Sequence, residues 1–206
     1  MPQLFERVAF IGLGLIGSSL ARAMKRDGLA GHIVGAARTA ATRDKALELG
    51  FVNSAEEDMA QAVKGADLVV LCTPLGAYGT VAKVIGPALS PGAIVTDVGS
   101  CKASVIADLS PHLPAGVHLV PGHPVAGTEN SGPEAGFAEL FENRYCILTP
   151  PRDADAEAVE KTRALWQAVG SMVEIMDADH HDRVLAITSH LPHLIAYTIV
   201  GTAADL

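Results

Sequence analysis

The chain has 206 residues, 49% of them hydrophobic, so it holds ample apolar surface for one sizeable core, and its formal net charge of −8, with no run of Lys or Arg to reverse it, argues against non-specific nucleic-acid binding. Aromatics make up only 4% against 20 glycines, which suits close packing of helices on a sheet better than an all-β sandwich. The three cysteines, Cys72, Cys101 and Cys146, are odd in number and lack metal-ligand spacing, so unpaired thiols in a reducing, cytoplasmic setting are expected and no metal is.

From the N-terminus, apolar runs of strand length alternate with longer helical patterns. "RVAFIG" precedes "LIGSSLARAMKRDG", "HIVGAA" precedes "TRDKALELG", "DLVVLCTP" precedes "YGTVAKVIGPAL", and "AIVTDVG" precedes "KASVIADLSPHL". "VHLVPG" opens a long loop, "YCILTP" precedes "DAEAVEKTRALWQAVG", and "MVEIMD" precedes a final helix. The strands are rich in Val and Ile and uninterrupted by polar residues, as strands buried on both faces are. Such alternation implies right-handed crossovers, hence an α/β, doubly wound, mostly parallel Rossmann-type sheet. Glu6 and Arg7 stand where a secretory leader would be apolar, so no signal peptide is expected.

Residues 184–204 contain no Asp, Glu, Lys or Arg and are long enough to span a bilayer. Two histidines and Pro192 lie inside this stretch and no aromatic-basic flanks border it, which favours a buried helix over a membrane span. The helix opens on acidic residues near Asp177, and Pro192 is expected to kink it. Residues 1–177 are therefore expected to form a dinucleotide-binding domain, and residues 178–206 the first long helix of an all-helical domain that is incomplete here.

Gly12-Leu13-Gly14-Leu15-Ile16-Gly17 is a G-x-G-x-x-G that follows a strand and opens a helix, the context the fingerprint requires. Gly12 allows the tight turn, Gly14 lets the backbone approach a pyrophosphate, and Gly17 lets the helix pack close to the strand. The free N–H groups of Leu15, Ile16 and Gly17 then hold the anion. At the end of the second strand, where a binder of NAD places Asp or Glu, the chain reads Ala36-Ala37-Arg38-Thr39. The missing carboxylate removes repulsion of a 2′-phosphate, and Arg38 can pair with that phosphate, stack on adenine or stand as a solvated surface arginine, so the expected cofactor is NAD or NADP with a lean to NADP. Thr73-Pro74, after "VVLC", forms a further turn toward the cofactor.

Ser100 and Lys102 lie in "DVGSCK" at a strand end that opens a helix, and His123 follows "VHLVPG" at the head of the long loop "VPGHPVAGTENSGPEAGF". A histidine beside a nicotinamide, with a pKa near working pH, can take the proton of an alcohol as hydride leaves its carbon. His190 and His193 share a helix face. Substrate contact suits His190, and a satisfied core histidine is expected at His193. His180 and His181 are expected at the surface or an interface.

Taken together, "GLGLIGSSLARA", "DVGSCK", "GHPVAGTENSGPEAGF", "LFENRYCILTP" and "HDRVLAITSHLPHLIA" resemble the prephenate/arogenate (cyclohexadienyl) dehydrogenase family of tyrosine biosynthesis across essentially the whole chain. The resemblance implies oxidative decarboxylation of a cyclohexadiene acid with NAD(P)+. His123 would take the ring hydroxyl proton, and Ser100 would orient the same hydroxyl and the nicotinamide. Thr128 and Glu129 would line the loop over the substrate, and His190 would reach it from the helical domain. Family members continue for roughly a further half-domain of helices, which forms a dimer interface and supplies an arginine for the substrate carboxylate. Neither a nucleic acid nor a membrane is an expected partner. Other Rossmann oxidoreductases, of the 3-hydroxyacid or pyrroline-carboxylate reductase type, share the fingerprint and the Thr-Pro turn but would not be expected to combine "HPVAGTE" with "SHLPH". A nucleotide-binding protein without turnover is a second alternative.

Overall fold

The computed structural model describes residues 2–204. Asp205 and Leu206, the last residues of the expected second domain, lie outside the described residues. The first half of the chain alternates strand and helix as expected, with one short unexpected pair, β3 and α3, inserted: β1 (Phe5–Ile11), α1 (Leu15–Arg26), β2 (Ala30–Ala36), α2 (Ala40–Glu48), β3 (Ser54–Glu56), α3 (Met59–Ala62), β4 (Leu68–Leu71), α4 (Tyr78–Ile85), β5 (Ile94–Asp97), α5 (Lys102–Leu109) and β6 (His118–Leu119). The six strands are parallel and run in the order β3-β2-β1-β4-β5-β6.

The uninterrupted apolar runs are explained by cover on both faces. Alternate residues of one strand feed two cores. Val8, Phe10, Leu68, Val70 and Ile94 join Leu20 and Met24 of α1 with Phe141, Leu165 and Trp166. Ala9, Ile11, Val69, Leu71 and Val95 join Tyr78, Val81 and Ile85 of α4 with Val105 and Leu109 of α5. Strand order reverses between β1 and β4, and the crevice past the carboxyl ends of these two strands is where an open α/β sheet receives a ligand.

The second half departs from one continuous sheet. After β6 the amide of Val120 still bonds to Val95, but Pro121 has no N–H to continue the ladder, and its carbonyl accepts from Thr149 instead. The chain crosses there into a small second sheet of β7 (Gly122–Pro124), β8 (Tyr145–Leu148) and β9 (Met172–Ile175), ordered β7-β8-β9, with α6 (Ala156–Ala168) between the last two strands. β7 is antiparallel to β8, and β8 is parallel to β9.

α7 (Ala178–Leu185) begins at Asp177, whose carboxylate accepts from the amides of Asp179 and His180. It runs through a π-helical turn at Ala186–His190 into α8 (Leu191–Ala204). The wider turn sits just before Pro192, a residue that removes one helical donor and crowds the preceding turn. The expectation of a buried helix is not met. Leu194, Tyr197 and Val200 are 64%, 76% and 66% exposed, and among the described residues nothing packs over them. Ala178–Ala203 is also long and apolar enough to cross a membrane by length and composition.

Candidate active site

The fingerprint turn has the geometry its glycines require. Gly12 has φ +102°, and a Cβ there would stand 2.7 Å from the carbonyl oxygen of Cys72, the residue after β4. A Cβ on Gly17 would stand 2.5 Å from the carbonyl oxygen of Gly12, so α1 rests directly on the turn. Gly14 differs, since a Cβ there would meet no atom within 4 Å. Open space lies before it, and it caps α1 without any side-chain hydrogen bond, which leaves the first amides free for an anion. The side chains of Leu15 and Ile16 pack against the core, so their contribution to a ligand is through the backbone.

Thr73 follows β4 and lies against this turn. Its Oγ1 is buried and has no hydrogen-bond partner among the described residues. A buried hydroxyl without a partner is costly unless something else completes it, so the crevice fits a polar ligand such as a nicotinamide nucleotide. Pro74 is exposed beside it.

At the end of β2, Arg38 is exposed. Thr39 is occupied as a helix cap: its Oγ1 accepts from the amide of Thr42 at 3.2 Å. Arg43 was not singled out by sequence reasoning. Its guanidinium reaches back to the carbonyls of Ala37 at 2.8 Å and Arg38 at 3.1 Å, and pairs with Glu57 at 2.9 Å. A second positive group thus borders the Ala37–Arg38 turn. The signal for it was its place on the first turn of α2, directly after the strand end.

β5 ends in Asp97, and α5 begins at Lys102. Both side chains are fully buried, with Lys102 Nζ at 2.7 and 2.6 Å from the two carboxylate oxygens. The carboxylate also accepts from the amides of Gly99 and Gly122. Burial pushes the Asp97 carboxyl up and the Lys102 amine down, while each partner pulls the other back toward its charged form. The dense donor set around Asp97 is that of an ion pair. Ser100, between them in sequence, is exposed.

His123 sits in the middle of β7 and is 7% exposed. Its Nδ1 lies 2.9 Å from Nε2 of His181, with the rings edge to face at 70°. Nδ1 of His181 lies 2.8 Å from Oδ1 of Asp182. The Asp182 oxygens in turn accept from the amides of Lys102 and Ala103, at 2.7 and 2.9 Å, and so cap α5 from α7. His181 is fully buried, which corrects its expected surface position. His193 is corrected in the other direction, for it is exposed on α8, with Nδ1 2.7 Å from the carbonyl oxygen of Ser189.

His123 does not titrate near neutrality in the free chain. Burial first, then the positive fields of His181, Lys102 and His190, push its pKa down to about 3, against an upward pull from Asp182. His190, half-buried in the π-helical turn, is therefore close enough to be felt by both buried rings. Ser100, Thr128 and Glu129 make no hydrogen bond to His123. Thr128 and Glu129 are exposed on the loop after β7, where Thr128 Oγ1 accepts from the amide of Asn130 at 3.3 Å. That loop lands on the fingerprint helix, where the amide of Phe137 donates to Ser19 Oγ at 3.1 Å. Among the described residues no group of three His, Cys, Asp or Glu side chains could hold a metal ion.

Residues 20–175 match the family model described as prephenate dehydrogenase, nucleotide-binding domain, and residues 177–206 match prephenate dehydrogenase, dimerization domain. The chain belongs to the prephenate dehydrogenase family. It is 46% identical over 197 residues to a cyclohexadienyl dehydrogenase of Zymomonas mobilis, covering 96% of this chain and 67% of that one. A prephenate dehydrogenase of Aquifex aeolicus, solved with hydroxyphenyl propionate and NAD+, superposes with a TM-score of 0.90 at 33% identity, over 98% of this chain and 70% of that one. A Synechocystis arogenate dehydrogenase superposes with a TM-score of 0.86 at 32% identity, over 97% of this chain and 70% of that one. Three further curated relatives are matched over 52–54% of their own length. Family membership makes the chain a dehydrogenase-type oxidoreductase with a Rossmann nucleotide-binding fold.

Proposed function

We propose that this chain carries out the nicotinamide-dependent oxidative decarboxylation of prephenate, arogenate or both, with His123 as the proton acceptor. The observation that carries the reading is the buried, hydrogen-bonded imidazole of His123, set on a strand that leaves the sheet beyond its carboxyl edge, in a chain of this family. Gly12, Gly14, Gly17, Thr73 and Pro74, with the amides of Leu15 and Ile16, would hold the nucleotide. Arg38 and Thr39 would border its adenosine ribose. The absence of a carboxylate at Ala37 and the pair of arginines at 38 and 43 support NADP alongside NAD. When bound, the nicotinamide supplies the hydride acceptor.

The chain's own groups manage the proton and the pose. His123 takes the ring hydroxyl proton as the hydride leaves the same carbon. Loss of carbon dioxide then leaves its electron pair in the ring, which becomes aromatic and carries a phenolate oxygen. That oxygen takes the proton back, so no net proton is released. His123 must hold the borrowed proton and return it rather than release it to solvent. Ser100 would orient the hydroxyl, Thr128 and Glu129 would enclose the substrate, and His190 would approach it from the π-helical turn. Alignment of the ring against the hydride acceptor supplies most of the remaining advantage.

Residues 1–177 act in this reading as the dinucleotide-binding domain and residues 178–206 as part of a helical domain. The exposed apolar face of α8 would pair with a second copy, in keeping with the dimerization-domain match. Incubation with prephenate or arogenate and either NAD+ or NADP+, followed by reduced-cofactor absorbance, tests the assignment. Growth of that signal with one of the ring acids supports it. Oxidation of 3-hydroxyacids alone would place the chain with the other Rossmann oxidoreductases, and cofactor binding without any turnover would make it a nucleotide-binding protein.

A further inference from the structure

We propose that His181 and Asp182 are positioning residues that lock His123 in the tautomer with a bare Nε2 and reversibly share the proton His123 borrows. The proposal deepens the proposed function and rests on it for the identity of the proton donor.

The tautomer follows from the order of groups along the chain of contacts. Asp182 is the fixed end. Burial pushes its carboxyl up, but the amides of Lys102 and Ala103 and the His181 ring outweigh this and hold it below the usual range. An ionised carboxylate only accepts, so the proton of the 2.8 Å contact is on Nδ1 of His181. The neutral His181 ring then offers Nε2 as an acceptor. The 2.9 Å contact needs one proton, which must come from Nδ1 of His123. Neutral His123 is left with a lone pair on Nε2, the nitrogen free to meet a hydroxyl.

The same chain explains how a base with so low a pKa can act. The charged and titratable groups around it are Asp97 on β5, Lys102 on α5, Cys146 on β8, His181 and Asp182 on α7, and His190 in the π-helical turn. Asp97 is neutralised by Lys102, so Asp182 is the negative charge available to an imidazolium at this point. When Nε2 of His123 gains the hydroxyl proton, Nδ1 can pass its own to Nε2 of His181. The positive charge then rests beside Asp182. Reversal of the two transfers returns the proton to the phenolate oxygen, which closes the balance without solvent.

The tautomer can be read without turnover. The chain is labelled with 15N-histidine, and the His123 signals are assigned by comparison with His123→Asn. A bare Nε2 and a protonated Nδ1 at neutral pH are expected. His181→Gln keeps an acceptor for Nδ1–H but cannot carry the charge, whereas His181→Leu removes both. His181→Leu should give mixed His123 tautomers and lower kcat about a hundredfold. His181→Gln should keep the tautomer and lose less of kcat, and the Kd for NAD+ should be unchanged in both. A protonated Nε2 in the wild type, or equal kcat in all three proteins, overturns the proposal. Should His181→Leu not fold, the wild-type spectrum and His181→Gln still decide it. Absence of turnover by the wild type with either ring acid would count against the proposed function instead, while the tautomer remains measurable.

Discussion

Nζ of Lys102 lies 2.7 Å from the carbonyl oxygen of Gly122, the residue that leads into His123. The same nitrogen is locked onto Asp97, so a fully buried ion pair joins the end of β5, the start of α5 and the strand that carries the imidazole. One stretch, "DVGSCK" at the end of β5 in the large sheet, thereby sets the position of another, "GHP" of β7 in the small sheet. Lys102 reaches His123 through the backbone of Gly122 and through its positive field.

Removal of one member of that pair leaves an uncompensated charge in the core. Lys102→Met should destabilise the chain by roughly 3–5 kcal/mol, read as a lower denaturant midpoint. The double change Asp97→Asn with Lys102→Met should lose less than the sum of the two single changes. Full additivity would mean that the two side chains are not coupled.

The fingerprint glycines separate into structural and ligand-facing positions. Gly12→Ala places a Cβ against Cys72 at a positive φ, so both folding stability and cofactor affinity should fall. Gly14→Ala meets open space, so stability should change by no more than about 1 kcal/mol. Its Cβ would still obstruct a pyrophosphate, and the Kd for NAD+ should rise at least roughly tenfold, about 1.4 kcal/mol. Thermal melts beside cofactor titrations give both readings for each variant.

Cofactor choice is testable at Arg38. If its guanidinium meets a 2′-phosphate, Arg38→Ala should weaken NADP+ binding by roughly tenfold, the scale of one charge-assisted hydrogen bond, and leave NAD+ binding little changed. Parallel isothermal titrations check this. Equal small changes for both cofactors would make Arg38 a solvated surface group.

The buried imidazole also sets a stability profile. The folded-state pKa of His123 is pushed from 6.5 down to about 3, so over that interval the unfolded chain binds a proton that the folded chain does not. Its contribution is fully present above the unfolded value and is lost as pH falls from about 6.5 toward 3, amounting to a few kcal/mol at the acid end. His123→Asn should flatten the acid side of a plot of Tm against pH. An unchanged slope would show that other groups govern it.

Much of the sheet was legible because stretches of strand covered on both faces are apolar, as residues 8–11 of β1, all of β4 and residues 94–95 of β5 are. β3 was not, since "SAE" is a three-residue edge strand without an apolar run. The second sheet escaped as well. The same short runs fit either sheet, and the break at Pro121 depends on the partner Thr149 far along the chain. The site residues near the glycine turn were visible through spacing. His181 was hidden because "HH" pairs an exposed residue with a buried one. Its only local mark is helical phase, since His181 and Leu185, four apart, share the buried face of α7. The capping of α5 by Asp182, eighty positions away, leaves no such mark.

The most direct test of the account is His123→Asn, with kcat on prephenate and arogenate measured beside the Kd for NAD+ and NADP+. Turnover should fall on the order of a hundredfold to ten-thousandfold while cofactor affinity stays close to wild type. Equal loss of both, or turnover kept at the wild-type rate, would contradict the assignment of His123 as the group that takes the proton.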